Sequence, residues 1–201
     1  MLAPEKEHTA DSAALDLIFT KARTYNSWQD RDVSDDLLQE AYNLARMGPT
    51  SANCSPLRII FIKSPTEKER LKPALAEGNQ NKTMQAPVVA LFAHDMEFYE
   101  NLPFLFPHAD ARSWFVGKET AIQDTAFRNG TLQAAYFIIA ARALGLDCGP
   151  MSGFDVDKVN DIFFPDGKHK VNFLCNIGYG SEEGLHPRAP RFEFDQTCSI
   201  R

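Results

Sequence analysis

The feature that most constrains the fold of this chain is an uncharged run of thirteen residues, Asn129 to Ala141. It lies within a longer segment, Glu119 to Leu144, in which apolar residues recur at the three- and four-residue spacing of a helix. A helix that spans a bilayer needs about 20 apolar residues, so this run is too short to do so. The pattern predicts a buried central helix that ends at Gly145.

One apolar face of this helix is expected to pack into the core. Its members are Ile122, Ala126, Leu132, Tyr136, Ile139 and Ala143. Three further segments predict strands: Arg58 to Lys63, Pro87 to His94, and Val171 to Ile177. The second is apolar throughout and should be buried, whereas the third alternates and should bury one face.

Four shorter helices are predicted from their capping residues. The first runs from Ser12 to Ala22 behind Asp11 or Ser12, and the second begins at Ser34 and stops at Gly48-Pro49. Thr66 and Glu69 have the spacing of a capping box for the third. Asp155 should cap the fourth, which continues through Ile162.

These elements predict one α+β domain with two extensions. Residues 1–11 are polar and are expected to form a flexible tail, and residues 12–187 should form the folded domain. Residues 188–201 follow the last core strand and contain the alternating stretch Phe192 to Asp195. We expect this C-terminal arm to be extended and to find its partner outside its own domain.

Charge and cysteine content narrow the classes of partner. The formal net charge of −6 disfavours nucleic acid and anionic membranes as main ligands, which leaves small molecules and proteins. Four scattered cysteines without a C-x-x-C pair fit free thiols, and the N-terminus has no pattern typical of a secretion signal. A cytoplasmic location is therefore expected.

Several chemistries lose support because their motifs are absent from the sequence. It contains no P-loop, no G-x-S-x-G nucleophile elbow and no H-E-x-x-H. The glycines at 178, 180 and 184 lack the spacing of a dinucleotide fingerprint. His94, His108 and Asp110 lack a fourth residue at metal-ligand spacing, so no metal site is predicted.

What remains is a set of small polar and basic residues at the ends of predicted elements, where binding groups usually lie. Arginines suit a phosphate, and asparagine, lysine and backbone N–H groups suit the edge of a planar heterocycle. Taken singly, each residue can equally be a cap, a turn or a solvated charge. Five such blocks occur, in chain order ARTYN (22–26), GPTSANCSP (48–56), the N-x-x-K of 79–82, LGLDCGPMSGFD (144–155) and the late R-x-P of 188–190.

In this order the blocks resemble the FMN-dependent nitroreductase superfamily over nearly the whole chain. GPTSANCSP, FPHADARSWF (106–115) and GPMSGFD are most similar to its malonic semialdehyde reductase branch, which acts in pyrimidine degradation. The resemblance implies a mixed, mainly antiparallel sheet flanked by helices. It also implies a homodimer with two FMN sites at the subunit interface and an exchanged C-terminal arm.

The resemblance implies a role for each matching block. Arg23, Thr24 and Arg188, helped by Arg191, would hold the FMN phosphate, and the loop from Pro49 to Asn53 would reach the flavin of the other subunit. Asn79 and Lys82 would meet the pyrimidine end of the ring, and the loop after Gly149 would lie beside flavin N5. The implied cofactor-binding residues are Arg23, Thr24, Asn26, Pro49, Thr50, Ser51, Asn53, Asn79, Lys82, Pro150, Met151, Ser152, Gly153, Arg188 and Arg191.

Two positions depart from the family pattern. Many members carry a basic residue where this chain has Asn26, and a glutamate is common where it has Ser152. Losing a cation near the flavin should make its anionic reduced form less favourable and so change the flavin redox potential.

The activity implied is ping-pong hydride transfer through flavin N5, from NADPH or NADH to a small-molecule oxidant. The branch resemblance favours malonic semialdehyde, which would give 3-hydroxypropionate, and Arg112 or Arg128 would bind its carboxylate. No side chain is expected to be catalytic, because the flavin carries the chemistry. A broad nitroaromatic or quinone reductase, a non-catalytic flavin-binding protein and a flavin-free interaction domain remain as alternatives.

Overall fold

The computed structural model describes residues 9–201, so residues 1–8 of the expected tail lie outside the described part. Within it, a four-stranded sheet is flanked by helices, as the predicted α+β class requires. The strands are β1 (Leu57–Ile62), β2 (Val88–Asp95), β3 (Asp147–Met151) and β4 (His169–Gly178). The helices are α1 (Ser12–Leu15), α2 (Asp35–Ala45), α3 (Pro65–Leu71), α4 (Glu77–Gln85), α5 (Leu102–Leu105), α6 (Glu119–Ala143), α7 (Val156–Phe163) and α8 (Phe194–Thr197).

The strands are ordered β1-β2-β4-β3, and every pair of neighbours is antiparallel. All eight residues of β2 are buried, which confirms the prediction of a buried strand. In β4 the prediction of one buried face was wrong, since all residues from Leu174 to Gly178 are buried. The reason is that α2 and α6 cover one face of the sheet while α3 and α7 cover the other.

The long helix α6 confirms the predicted central helix, but its expected apolar face was partly wrong. Ile122 and Ala126 are buried, whereas Leu132 and Tyr136 are exposed. In the second half of α6, the buried face instead carries Gln133, Ala134, Phe137, Ala140 and Ala141. Apolar residues therefore occupy two faces of α6, and one of them has no cover within the described chain. No helix in residues 9–201 has the length and apolarity needed to cross a membrane.

Three of the predicted helix starts are confirmed by their capping hydrogen bonds. Asp11, Ser34 and Asp155 each accept a backbone N–H of the first turn. The capping box of Thr66 and Glu69 was wrong, because Ser64 caps α3 by accepting the N–H of Glu67. Pro65 then occupies the first helical position, where its lack of an N–H costs nothing. The first helix also differs, because it continues beyond Leu15 as a π-helix, Asp16–Thr20.

The C-terminal arm, residues 188–201, has no buried residue in this chain. Phe192, Phe194 and Ile200 are 78%, 59% and 89% exposed. The expected extended conformation ends at Glu193, which caps the single helical turn of α8. Since apolar side chains this exposed gain nothing from their own domain, the arm contributes little to the stability of the single chain.

Candidate functional site at the edge of strand β3

The outer edge of β3 is covered by the segment that follows the first helix. Thr24 forms a parallel bridge with Cys148, and the N–H of Tyr25 donates to the carbonyl of Cys148 at 3.3 Å. A Cβ on Gly149 would lie 2.5 Å from the carbonyl oxygen of Tyr25, so only glycine allows this close approach. The arginine-threonine block is therefore held against β3.

Arg23 and Arg188 are far apart in the chain and are brought together beside this edge. The guanidinium of Arg188 donates to the carbonyls of Thr20 and Ala22 at 2.8 and 3.0 Å, and that of Arg23 donates to the carbonyl of His186. A guanidinium has five N–H donors, so each arginine keeps donors for a ligand. Arg191 instead donates to the carbonyls of its own segment, at Ala189 and Pro190.

Asn79 and Lys82 lie one turn apart within α4, which corrects the expectation that they stand at the end of an element. The Asn79 side-chain amide donates to the carbonyl of Gly153 at 2.8 Å. The indole N–H of Trp28 donates to the carbonyl of Lys82 at 3.1 Å. These two bonds fix α4 to the end of β3 and to the arginine-threonine segment. Since Arg188 is bonded to the same segment, four of the five sequence blocks share one site.

The Lys82 side chain belongs to the same helix as Asn79, α4. Its residue is half-buried, and burial lowers the pKa of its ammonium. The ammonium makes no hydrogen bond or ion pair with the described part of the chain, residues 9–201. A partly desolvated, unpaired cation is costly unless a ligand compensates it, so Lys82 is a candidate binding residue.

The residues from Pro150 to Gly153 form the end of this site. Pro150 and Met151 belong to β3 rather than to a loop, and the hydroxyl of Thr83 donates to the Met151 sulfur at 3.5 Å. Ser152 and Gly153 lie beyond the strand and are exposed. They are the part of this block that is accessible to a ligand. Asn26 is also exposed, in the bend after Thr24.

The loop from Pro49 to Ser55 lies elsewhere, at the start of β1. Ala52, Asn53 and Ser55 have φ angles of 49°, 51° and 40°, which non-glycine residues rarely adopt. Each such residue costs of order 1–3 kcal/mol and persists only where the surroundings enforce it. The Asn53 amide donates to the carbonyl of Leu105 at 2.9 Å, which ties the loop to α5. Strain concentrated in one short loop is typical of a functional segment.

The structure thus separates the predicted site residues into two groups. The larger group surrounds β3, and the loop with Pro49, Thr50, Ser51 and Asn53 adjoins β1. Because β1 and β3 are the two edge strands of the sheet, the two groups lie at opposite edges and do not meet within a single chain.

Arg112 and Arg128 differ in their surroundings. Arg112 makes two hydrogen bonds to the carboxylate of Glu100, at 2.7 and 2.8 Å. The two opposite charges of this ion pair therefore stabilise each other. Arg128 is exposed on α6 and lines an open cavity with Phe127 and Leu132. Arg128 forms no ion pair with the described residues, so it is the better placed of the two to bind a carboxylate.

Sequence reasoning missed two residues that support α4. Trp28 packs against the backbone of Gly149 as well as bonding Lys82. Lys68 is 8% exposed and its ammonium donates to the carbonyl of Ala86, the C-cap of α4. Buried lysines are rare in proteins. The burial of Lys68 could not be predicted from the sequence of α3, PTEKERL, because most of its residues are charged or polar and are typical of an exposed helix.

Of the other titratable residues named from the sequence, His94, Cys54, Cys148 and Cys175 are buried, whereas His108, Asp110 and Cys198 are exposed. The ring of His94 packs edge-on against that of Phe127. Burial lowers the pKa of His94, and the positive charge of Lys170 lowers it further. Burial raises the pKa of the Cys54 thiol to about 11. Among residues 9–201, no three side chains form a group that could hold a metal ion.

Comparisons with known proteins agree with this fold. The model of the family described as "Nitroreductase family" matches residues 20–179. A protein of Polynucleobacter asymbioticus named "Putative NADH dehydrogenase/NAD(P)H nitroreductase" is 59% identical over 187 residues, 93% of this chain and 95% of that protein.

Solved structures show the same fold. The "putative nitroreductase ydfN" of Bacillus subtilis superposes with a TM-score of 0.86 at 23% identity, covering 95% of this chain and all of that one. A "putative nitroreductase in complex with FMN" of Exiguobacterium sibiricum gives 0.82 at 18% identity, covering 96% and 99%.

The fold is therefore that of a nitroreductase-like α+β protein with a candidate site on the edge of its sheet. The chain belongs to the Nitroreductase family.

Proposed function

We propose that this protein is an FMN-dependent NAD(P)H oxidoreductase. The observation that carries the proposal is the meeting of Arg23 and Arg188 at one end of the β3 edge with Asn79 and Lys82 at the other. The NAD(P)H in the name of the 59% identical relative and the FMN held by the Exiguobacterium structure support the same assignment.

The two ends of the site fit the two ends of FMN. Cys148 and Gly153, which adjoin Thr24 and Asn79, are five residues apart, about 16 Å of extended chain. The guanidinium groups at one end suit a phosphate, which they can bind in a bidentate manner. The amide and the unpaired ammonium at the other end suit the polar edge of the flavin ring, where negative charge develops on reduction.

When bound, FMN would supply the redox chemistry by accepting hydride from NAD(P)H at N5 and passing it to an oxidant. The residues of this chain bind and orient it. Arg23 and Arg188 would fix the phosphate, while α4 holds Asn79 and Lys82 in place through Trp28 and Lys68. Ser152 and Gly153 leave the end of β3 open to a second planar molecule.

We also propose that the working unit is a homodimer. The Pro49–Ser55 loop lies across the sheet from the β3 site, so a second copy is needed to bring the two groups together. Apolar residues that could cover such an interface are exposed on the first helix, on α6 and in the arm. They include Leu15, Leu17, Phe19, Phe127, Leu132, Tyr136, Phe192 and Phe194.

The activity is tested with the purified protein in the absence of oxygen. It should bind FMN, turn yellow and lose that colour on addition of NADPH or NADH. Colour should return when an oxidant is supplied, and we propose malonic semialdehyde for that role. Return with nitroaromatics or quinones alone would assign the broader reductase, and FMN binding without bleaching would assign a non-catalytic flavin protein.

Arg128 gives a prediction about the oxidant. Replacing Arg128 with alanine should raise the KM for malonic semialdehyde about tenfold, because a hydrogen bond to a charged group contributes about 1.5–3 kcal/mol. The KM for a neutral quinone should not change. Arg112→Ala is the matched control, since Glu100 already binds that guanidinium. Equal KM changes for both oxidants in steady-state assays would remove Arg128 from carboxylate binding.

Lys82 gives a prediction about the reductive step. Lys82→Met should still bind FMN but should be reduced more slowly, by about tenfold or more, because the ammonium stabilises charge that appears only on reduction. Lys82→Arg keeps the charge and should be less affected. Stopped-flow bleaching by NADPH measures the rate.

The same residue predicts a pH dependence. Burial lowers the pKa of Lys82, and only the protonated form carries the charge. The bleaching rate of the wild type should therefore fall as pH rises through this lowered pKa. Lys82→Met should lack that fall, and an identical pH profile in both proteins would contradict the assigned role.

A further inference from the structure

The uncharged run of α6 contains buried polar side chains that point to a positioning role. Asn129 is 1% exposed and Gln133 is 6% exposed, and both lie within the helix that forms the centre of the core. They are four residues apart, so they share one face of α6. Polar side chains are retained in such a place when they have a specific partner.

The partners of both amides are backbone N–H groups on either side of the strained residues of the Pro49–Ser55 loop. The Asn129 side-chain oxygen accepts the N–H of Ser51 at 2.8 Å. The Gln133 side-chain oxygen accepts the N–H of Leu57, the first residue of β1, at 3.0 Å. The amide group of Asn129 is itself oriented, because its nitrogen donates to the carbonyl of Thr125 at 2.8 Å.

Between these anchors lie the three residues with left-handed φ angles, Ala52, Asn53 and Ser55. A loop with this backbone relaxes unless its surroundings fix it. Inside the loop, the Thr50 hydroxyl accepts the N–H of Ser55 at 3.2 Å. The bonds from α6 add two fixed points, one at Ser51 near the start of the loop and one at Leu57 just after its end.

We propose that Asn129 and Gln133 are positioning residues that hold this loop in the conformation needed at the FMN site of the partner subunit. The inference rests on the proposed function, since it assigns the loop to the flavin. Neither side chain needs to touch the cofactor. Each acts through a backbone amide, that of Ser51 in the loop or that of Leu57 just after it. If the loop has the correct conformation only part of the time, the affinity for FMN falls by that fraction.

The test compares variants of Gln133 that lack or keep the acceptor oxygen. Gln133→Leu removes the oxygen, and Gln133→Glu keeps one. Gln133 suits this comparison better than Asn129, whose nitrogen also donates to Thr125 and would be lost in an aspartate. Gln123→Leu, an exposed position on the same helix, is the matched control. The first readout is hydrogen exchange at the Ser51 and Leu57 amides of the FMN-free protein, and the second is the FMN dissociation constant of the full-length protein.

In Gln133→Leu we expect exchange at Leu57 to be about tenfold faster and FMN binding to be about tenfold weaker. Gln133→Glu should restore both, and Gln123→Leu should change neither. If Gln133→Leu does not fold, Asn129→Leu gives the same comparison at Ser51.

The possible failures are distinguishable. Unchanged exchange in the leucine variant, or faster exchange with unchanged FMN affinity, would overturn the positioning role while leaving the proposed function intact. A purely structural role would instead speed exchange in the buried strand β2 as well as in the loop, because a destabilised fold opens as a whole. A wild-type protein that binds no FMN would overturn the proposed function itself, and with it this inference.

Discussion

Replacing Arg23 or Arg188 with alanine should weaken FMN binding by about 30-fold to several thousandfold. Loss of one partner of a desolvated charge pair costs about 2–5 kcal/mol, and each 1.4 kcal/mol is a factor of ten. Both arginines are held beside β3 by backbone carbonyls at Thr20, Ala22 and His186, so their guanidinium groups are already oriented before a phosphate arrives. Equilibrium dialysis gives the affinity.

Riboflavin provides the control for this prediction because it lacks the phosphate. If the arginines bind the phosphate, the wild type should prefer FMN to riboflavin, and each variant should lose that preference while keeping its affinity for riboflavin. Arg191→Ala should have a smaller effect, since this guanidinium donates within its own segment. A parallel loss of affinity for both flavins would mean that the substitutions only loosen the contact between the first helix and the arm.

Deleting Arg188 to Arg201 should dissociate the dimer and empty the flavin site. Phe192 and Phe194 are mostly exposed in the single chain, so their burial must come from another molecule. Covering two such side chains contributes roughly 3–6 kcal/mol before the cost of ordering the arm. We therefore expect the dimer dissociation constant to rise by about 100-fold or more.

A shorter deletion separates the two effects. Removing residues 192–201 keeps Arg188 and should weaken the dimer without removing the phosphate contact. Size-exclusion chromatography over a range of concentrations reports association, and the flavin spectrum reports occupancy. If the protein lacking residues 188–201 remains a yellow dimer like the full-length one, the arm has no part in either property.

Local patterns were sufficient to predict most of the elements of this fold. The period of α6, the apolar run of β2 and the caps at Asp11, Ser34 and Asp155 act within one or two turns of chain, so neighbouring residues determine them. The error at Thr66 has the same local nature, because two hydroxyl residues compete there and Pro65 favours the earlier cap.

Which face of an element is covered could not be read from periodicity alone. Leu132 and Tyr136 have the spacing of core residues, yet they face away from the sheet, and β4 is buried on both faces where alternation predicted one. Both cases depend on how many layers pack against the element. The number of packed layers is a property of the assembled domain. In α6 the second apolar face is exposed in the single chain.

The sequence by itself determined most of the elements, the family resemblance and the identity of the five blocks of candidate binding residues, because each depends on residue type and spacing along the chain. Only the tertiary structure decided that Arg23 meets the segment before Arg188, that Asn79 reaches Gly153 and that the strained loop lies at the opposite edge of the sheet. It also revealed Asn129 and Gln133 as anchors of that loop. These relations join residues tens of positions apart, and the pairing of strands and the packing of helices fix them, which no local pattern records.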